Sequence, residues 1–142
     1  MDKLEDYEGQ FIKSKNLKAE EIAKMLDVIL EYCEIQDNGF VRFKGDYSAS
    51  LSKKDLIYFV ACARFLANRL QVALERSNLI PSTVSSGEIA EMTMIDKNTV
   101  QARVSEFKKK NWLSDPSKGV YEATPNGIKD FLSEVQKKKK KK

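Results

Sequence analysis

Residues 85–110, SSGEIAEMTMIDKNTVQARVSEFKKK, decide the fold. Ser85 or Ser86 can cap a short helix over Gly87–Met92, since a side-chain oxygen there accepts from first-turn amides that have no partner within the helix. Ile89 and Ala90 of that helix point inward, and Thr93-Met94-Ile95 makes a tight turn. Asp96 then caps a second helix, from about Lys97 to Lys110, on which Val100, Val104 and Phe107 fall in one narrow stripe. Two helices across so short a turn form a helix-turn-helix unit, whose second helix can enter a major groove.

Downstream, Trp112-Leu113-Ser114, the turn Asp115-Pro116-Ser117-Lys118-Gly119 and Val120-Tyr121-Glu122-Ala123-Thr124 spell a small β-hairpin. Thr124 caps a last helix, with Pro125 at its favoured first position and Ile128, Phe131, Leu132 and Val135 facing in. Upstream, Ser52-Lys53-Lys54-Asp55 has the form of a capping box. The helix it opens should run to Arg76 or Ser77, apolar over most of its circumference like a central core element, until Asn78-Leu79-Ile80-Pro81 breaks it.

Residues 1–15 show little periodicity. A helix capped by Asn16 is predicted over Leu17–Ile35, with Ile22, Met25, Leu26, Ile29, Leu30 and Cys33 at helical spacing. Asp37-Asn38-Gly39 stops the chain, and Phe40–Lys44 alternates like a strand. The predicted organisation is an N-terminal extension over 1–50, a folded domain over 51–136 and a disordered lysine tail over 137–142.

The stretch from Val84 to Leu132 resembles the winged helix-turn-helix superfamily of bacterial and archaeal regulators. Glu88-Ile89-Ala90-Glu91, Thr99-Val100, Phe107-Lys108-Lys109-Lys110-Asn111-Trp112-Leu113 and Tyr121-Glu122-Ala123-Thr124-Pro125-Asn126-Gly127 follow its pattern in order and spacing. Met94 departs from it, because that turn residue is usually small or glycine. The resemblance implies a mainly α fold with a small β-hairpin wing and, here, an N-terminal helical extension. It also implies double-stranded DNA as partner and transcription regulation as role. Regulators of this kind are commonly dimers. The Ile22, Met25 and Ile29 stripe is accordingly a candidate homodimer seam, and docking on its own domain is the alternative.

On the second motif helix, Asn98, Gln101, Ala102 and Ser105 lie opposite the apolar stripe. Asn and Gln can bond adenine edges bidentately and Ala can touch a thymine methyl, so these four are the base-reading candidates. Lys97, Arg103, Lys108, Lys109, Lys110 and the hairpin-tip Lys118 are the phosphate-binding candidates. Glu106, near the edge of that face, opposes deep insertion. Trp112, between helix and hairpin, belongs to the core. Arg64, Arg69 and Arg76 on the long helix could serve a dimer, DNA or only solvation.

Composition narrows the function further. Histidine is absent, removing the commonest general base and metal ligand. No phosphate loop, nucleophile elbow or paired-carboxylate motif occurs, so neither catalysis nor a cofactor, metal or small-molecule ligand is expected. Cys33 and Cys62, on separate predicted helices, read as buried thiols. No apolar run approaches the roughly 20 residues of a membrane span, and the acidic start lacks a secretory pattern, which points to the cytoplasm.

The net charge of +4 is unevenly placed: without the six lysines of 137–142, 19 basic residues face 21 acidic ones. Lys97–Lys118 nevertheless carries six bases against two acids, a footprint suited to a polyanion. A protein-interaction module without nucleic acid, or an RNA-binding or replication-associated protein, are the alternative functions.

Overall fold

A computed structural model describes residues 19–45 and 51–140. They form five helices and two small antiparallel sheets. Helix α1 (Ala19–Tyr32) leads into the ribbon β1 (Cys33–Ile35) and β2 (Val41–Phe43), and α2 (Lys53–Ala73) follows. Strand β3 (Thr83–Ser85) runs directly into α3 (Ser86–Thr93), and a three-residue turn leads to α4 (Lys97–Lys109). The hairpin β4 (Leu113–Ser117) and β5 (Val120–Ala123) precedes the last helix, α5 (Pro125–Lys140). β5 is the central strand of a three-stranded sheet, between β3 and β4.

The core is built around α2, whose residues Ile57–Ala67 are all buried, as its all-round apolar sequence predicts. By length and composition α2 could cross a bilayer, against the expectation that no such stretch exists, but 61% of that window is buried inside the chain. Tyr58, Phe107, Trp112 and Phe131 pack with ring centroids 4.9–6.2 Å apart, so Trp112 is a core residue. The Tyr58 hydroxyl donates to the Trp112 carbonyl at 2.8 Å, and burial raises its pKa. Gly127 passes so close to this junction that a Cβ would lie 2.4 Å from the Tyr58 hydroxyl and 2.7 Å from Trp112 Cα.

Arg64, only 4% exposed, ties three separate segments to α2. Its Nε donates to the Gly39 carbonyl in the β1–β2 turn, and its Nη1 donates to the Thr83 carbonyl in β3 at 3.0 Å. Nη2 meets the Glu88 carboxylate of α3 at 2.7 Å. Gly39 has φ +89°, and a Cβ there would fall 3.0 Å from Arg64 Nε, so glycine satisfies both the turn and the close approach.

The N-terminal helix differs from its predicted course. It ends at Tyr32, three residues early, because Cys33–Ile35 pairs with Val41–Phe43 in antiparallel register. Cys33 is therefore a strand residue. The Ile22, Met25 and Ile29 stripe is buried within the chain's own core, where α1 packs on α2 and α5. These side chains are covered within one chain, which is the docking alternative to a homodimer seam. Leu30 leaves the stripe and is 52% exposed.

Two further boundaries move. α2 stops at Ala73, where Glu75 adopts a left-handed φ of 58° and the Arg76 amide donates back to the Gln71 carbonyl. α5 runs through Lys140, four residues into the segment expected to be disordered. Lysine is a good helix former, and positive charge suits a helix C-terminus. Residues 1–15, the Asn16 cap and Lys141–Lys142 lie outside the described residues.

Arg64→Met should lower unfolding free energy by about 3 kcal/mol, since it strands two carbonyls and a carboxylate. Glu88→Gln should cost less, because the Glu88 side chain is 42% exposed. Ile29→Asp should cost several kcal/mol without changing the sedimented mass, because Ile29 is 4% exposed and covered within the chain. Chemical denaturation and sedimentation check these outcomes.

Candidate nucleic-acid interface

The start of α3 is fixed twice over. Ser85 Oγ accepts from the Glu88 amide at 3.1 Å, and Glu88 Oε1 accepts from the Ser85 amide at 3.0 Å, completing a capping box. Burial pushes the Glu88 carboxyl up, but the hydrogen bonds from Arg64 and Ser85 and the Arg64 charge outweigh it, leaving the pKa lowered. A lowered folded pKa stabilises above the unfolded value of about 4.3, and that contribution fades as pH falls through the folded pKa. Wild-type protein should therefore lose more stability than Glu88→Gln between pH 5 and pH 3, in guanidinium titrations at each pH.

The turn into α4 puts Met94 in the left-handed region, φ 60°, with its side chain 90% exposed. Asp96 then accepts from the Asn98 and Thr99 amides at 3.1 and 3.3 Å. Val100, Val104 and Phe107 are buried, as their stripe predicts, and this fixes the rotation of α4. Asn98, Gln101, Ala102, Ser105 and Lys109 all emerge on the opposite face and are exposed. The structure thus brings the four base-reading candidates together on one accessible surface.

The six phosphate-binding candidates divide. Lys97, Lys109 and Lys118 are exposed and form no ion pair among the described residues. Lys118 shares the hairpin tip with Gly119, whose φ of +82° makes the reversal. Arg103 meets Glu106 at 2.8 Å, so Glu106 offsets a cation of the patch. Lys108 meets Asp115 of β4 at 2.9 Å and lies 5.9 Å from the Tyr121 ring centroid. Hydrogen bonding and charge raise the Lys108 pKa and lower that of Asp115. Lys110 sits over the Trp112 ring at 4.9 Å.

The hairpin is clamped to both flanking helices. Asn111, at φ 63°, ends α4, and the Trp112 amide turns back to the Phe107 carbonyl at 2.9 Å. Thr124 Oγ1 donates to the Asn111 carbonyl at 2.7 Å and accepts from the Gly127 amide at 3.1 Å, capping α5. The sequence reading missed β3, which pairs Thr83 with Glu122, Val84 with Tyr121 and Ser85 with Val120. Its only signal is the β-branched Thr83-Val84 beside the α3 cap, too short to register as a strand. Lys54 was missed as a contributor because it lies inside the capping box of α2; its Nζ stands 5.9 Å from the Phe107 ring centroid.

Elsewhere the described residues offer little chemistry. Both cysteines are buried and free, and burial pushes the Cys33 thiol up to about 12 and the Cys62 thiol well above its ordinary value. Among the described residues no cluster of Cys, Asp and Glu is arranged to hold a metal ion. An open groove between α1 and α5 is lined by Met25, Val28 and Leu132 together with the polar Lys24, Asp27, Lys129, Ser133 and Gln136.

No protein-family model matches the chain, and no curated protein or solved structure matches it significantly.

Asp115→Asn should lower the Lys108 pKa toward the ordinary lysine value, since the raising partner is removed. An NMR titration of the lysine side chains reads that shift, and an unchanged Lys108 would contradict the pairing.

Proposed function

We propose that the chain is a winged helix-turn-helix protein that binds double-stranded DNA, as a cytoplasmic transcription regulator. In this reading α3 and α4 are the helix-turn-helix, α4 enters the major groove, and the β4–β5 hairpin is the wing against neighbouring backbone. The observation that carries the reading is the accessible face of α4. Asn98, Gln101, Ala102 and Ser105 project together, opposite three buried anchors, with the exposed Lys97 and Lys109 beside them. Amide side chains can read adenine and a small methyl can meet thymine, while lysines supply sequence-independent attraction.

A second reading, a protein-interaction module, draws on different observations. The Arg103–Glu106 and Lys108–Asp115 pairs offset two cations of the patch, and Met94 offers an exposed apolar side chain at the turn.

Salt dependence separates the two. With four to six phosphates neutralised, log affinity of a chain ending at Gln136 should fall against log salt with a slope of about −4 to −5. A flat response would eliminate DNA binding as the function of the folded chain and favour the protein-interaction reading. Base reading has its own signature. Gln101→Ala or Asn98→Ala should cost about 1–3 kcal/mol at one base-pair position and relax selectivity there. Lys118→Ala should weaken all duplexes alike. If the Gln101 and Asn98 variants also weaken every competitor equally, α4 does not read bases. Single-stranded and RNA competitors in the same series test the remaining nucleic-acid classes.

A further inference from the structure

The C-terminal end of α4 gathers positive charge in a way the base-reading face does not explain. Phe107 and Trp112 stack with planes 6° apart and centroids 5.9 Å apart. Lys54, arriving from the first turn of α2, lies 5.9 Å from the Phe107 centroid, and Lys110 lies 4.9 Å from the Trp112 centroid. Two ammonium groups from different helices thus converge on one aromatic pair. Neither forms an ion pair among the described residues. The nearby Glu106 is engaged by Arg103 at 2.8 Å.

The platform is rigid. Phe107 is 1% and Trp112 8% exposed, and the Trp112 carbonyl is held by the Tyr58 hydroxyl. Ring faces attract cations, but they do not cancel the repulsion between two of them. The close approach of the Lys110 side chain, then burial, holds the Lys54 pKa below that of an ordinary lysine, while Glu106 and Glu134 pull it up only in part. An anion between the two groups would relieve that repulsion without reorganising the platform.

Position suggests which anion. Twelve residues of helix separate Asn98 from Lys110, about 18 Å at 1.5 Å per residue. The major groove is about 12 Å wide, so an α4 whose first turns read bases would carry its far end to the groove wall. The chemistry at that wall is a phosphodiester.

We propose that Lys54 and Lys110, converging on the Phe107–Trp112 pair, form a phosphodiester subsite that grips the DNA backbone at the C-terminal end of α4. This rests on the DNA-binding reading and adds α2 to the footprint. The test measures the full chain on a duplex, by fluorescence anisotropy across a salt series, beside Lys54→Gln, Lys110→Gln and the double variant. The terminal lysines are common to all four proteins and cancel in the comparison.

Each lost contact should flatten the log–log salt slope by about 0.9, so the wild-type advantage over the double variant should shrink about 12-fold between 50 and 200 mM salt. The loss should be the same on every duplex sequence, and Lys54→Arg with Lys110→Arg should restore the slope. Wild-type binding with an unchanged slope in the double variant would overturn the subsite and leave the DNA reading standing. Failure of the wild type to bind any duplex would overturn both.

Discussion

The arrangement of α2, β3 and α3 depends on one buried guanidinium. Arg64 sits inside an otherwise apolar stretch of α2, where an unpaired charge would be costly, so each of its donor directions must find an acceptor. The Gly39 carbonyl, the Thr83 carbonyl and the Glu88 carboxylate supply them. Those acceptors belong to the N-terminal ribbon, to β3 and to α3, so one side chain registers three segments against the central helix. Glu88 also completes the capping box with Ser85, which links the orientation of α3 to Arg64. α4 follows after only three residues and inherits that orientation. The accessible face of α4 is therefore set from the core outward.

A second anchor holds the other end of α4. Tyr58 bonds the Trp112 carbonyl, Thr124 bonds the Asn111 carbonyl, and Gly127 leaves room for both. The hairpin and α4 are thus fixed at both ends, and their polar side chains project from rigid elements. Such preorganisation lowers the ordering cost of binding a regular polyanion. The charges on this scaffold are unequal. Lys97, Lys109 and Lys118 form no ion pair among the described residues, whereas Arg103 and Lys108 are held by acids within the chain. Exposed pairs of that sort contribute little stability, so they hold their partners weakly.

Much of this was legible in the sequence because the cues are local. Ser52, Ser85, Asp96 and Thr124 announce four helix starts, and the Val100, Val104, Phe107 spacing fixes which face of α4 is exposed. Non-local pairing was not legible. β3 is three residues long and exists because β5 lies beside it, and Cys33–Ile35 leaves the helical pattern because Val41–Phe43 pairs with it. Arg64 read as one of three equivalent arginines, since nothing near it in sequence reveals Gly39, Thr83 or Glu88 as its partners. The Ile22, Met25, Ile29 stripe showed that something covers it, and only the packing of α1 on α2 and α5 identified the cover as the same chain. The division of the lysines into paired and unpaired was likewise invisible, because Lys108 and Asp115 meet across the helix–hairpin junction.

The central claim is that the outer face of α4 meets double-stranded DNA. Backbone amide shifts of isotope-labelled protein, followed by NMR as a duplex of mixed sequence is added at low salt, test it most directly. The account predicts the largest shifts at Asn98, Gln101, Ala102 and Ser105, with further shifts at Lys118 on the hairpin tip. The buried α1 stripe at Ile22, Met25 and Ile29 should remain still. Shifts confined to the terminal lysines 137–142, with α4 unmoved, would contradict it.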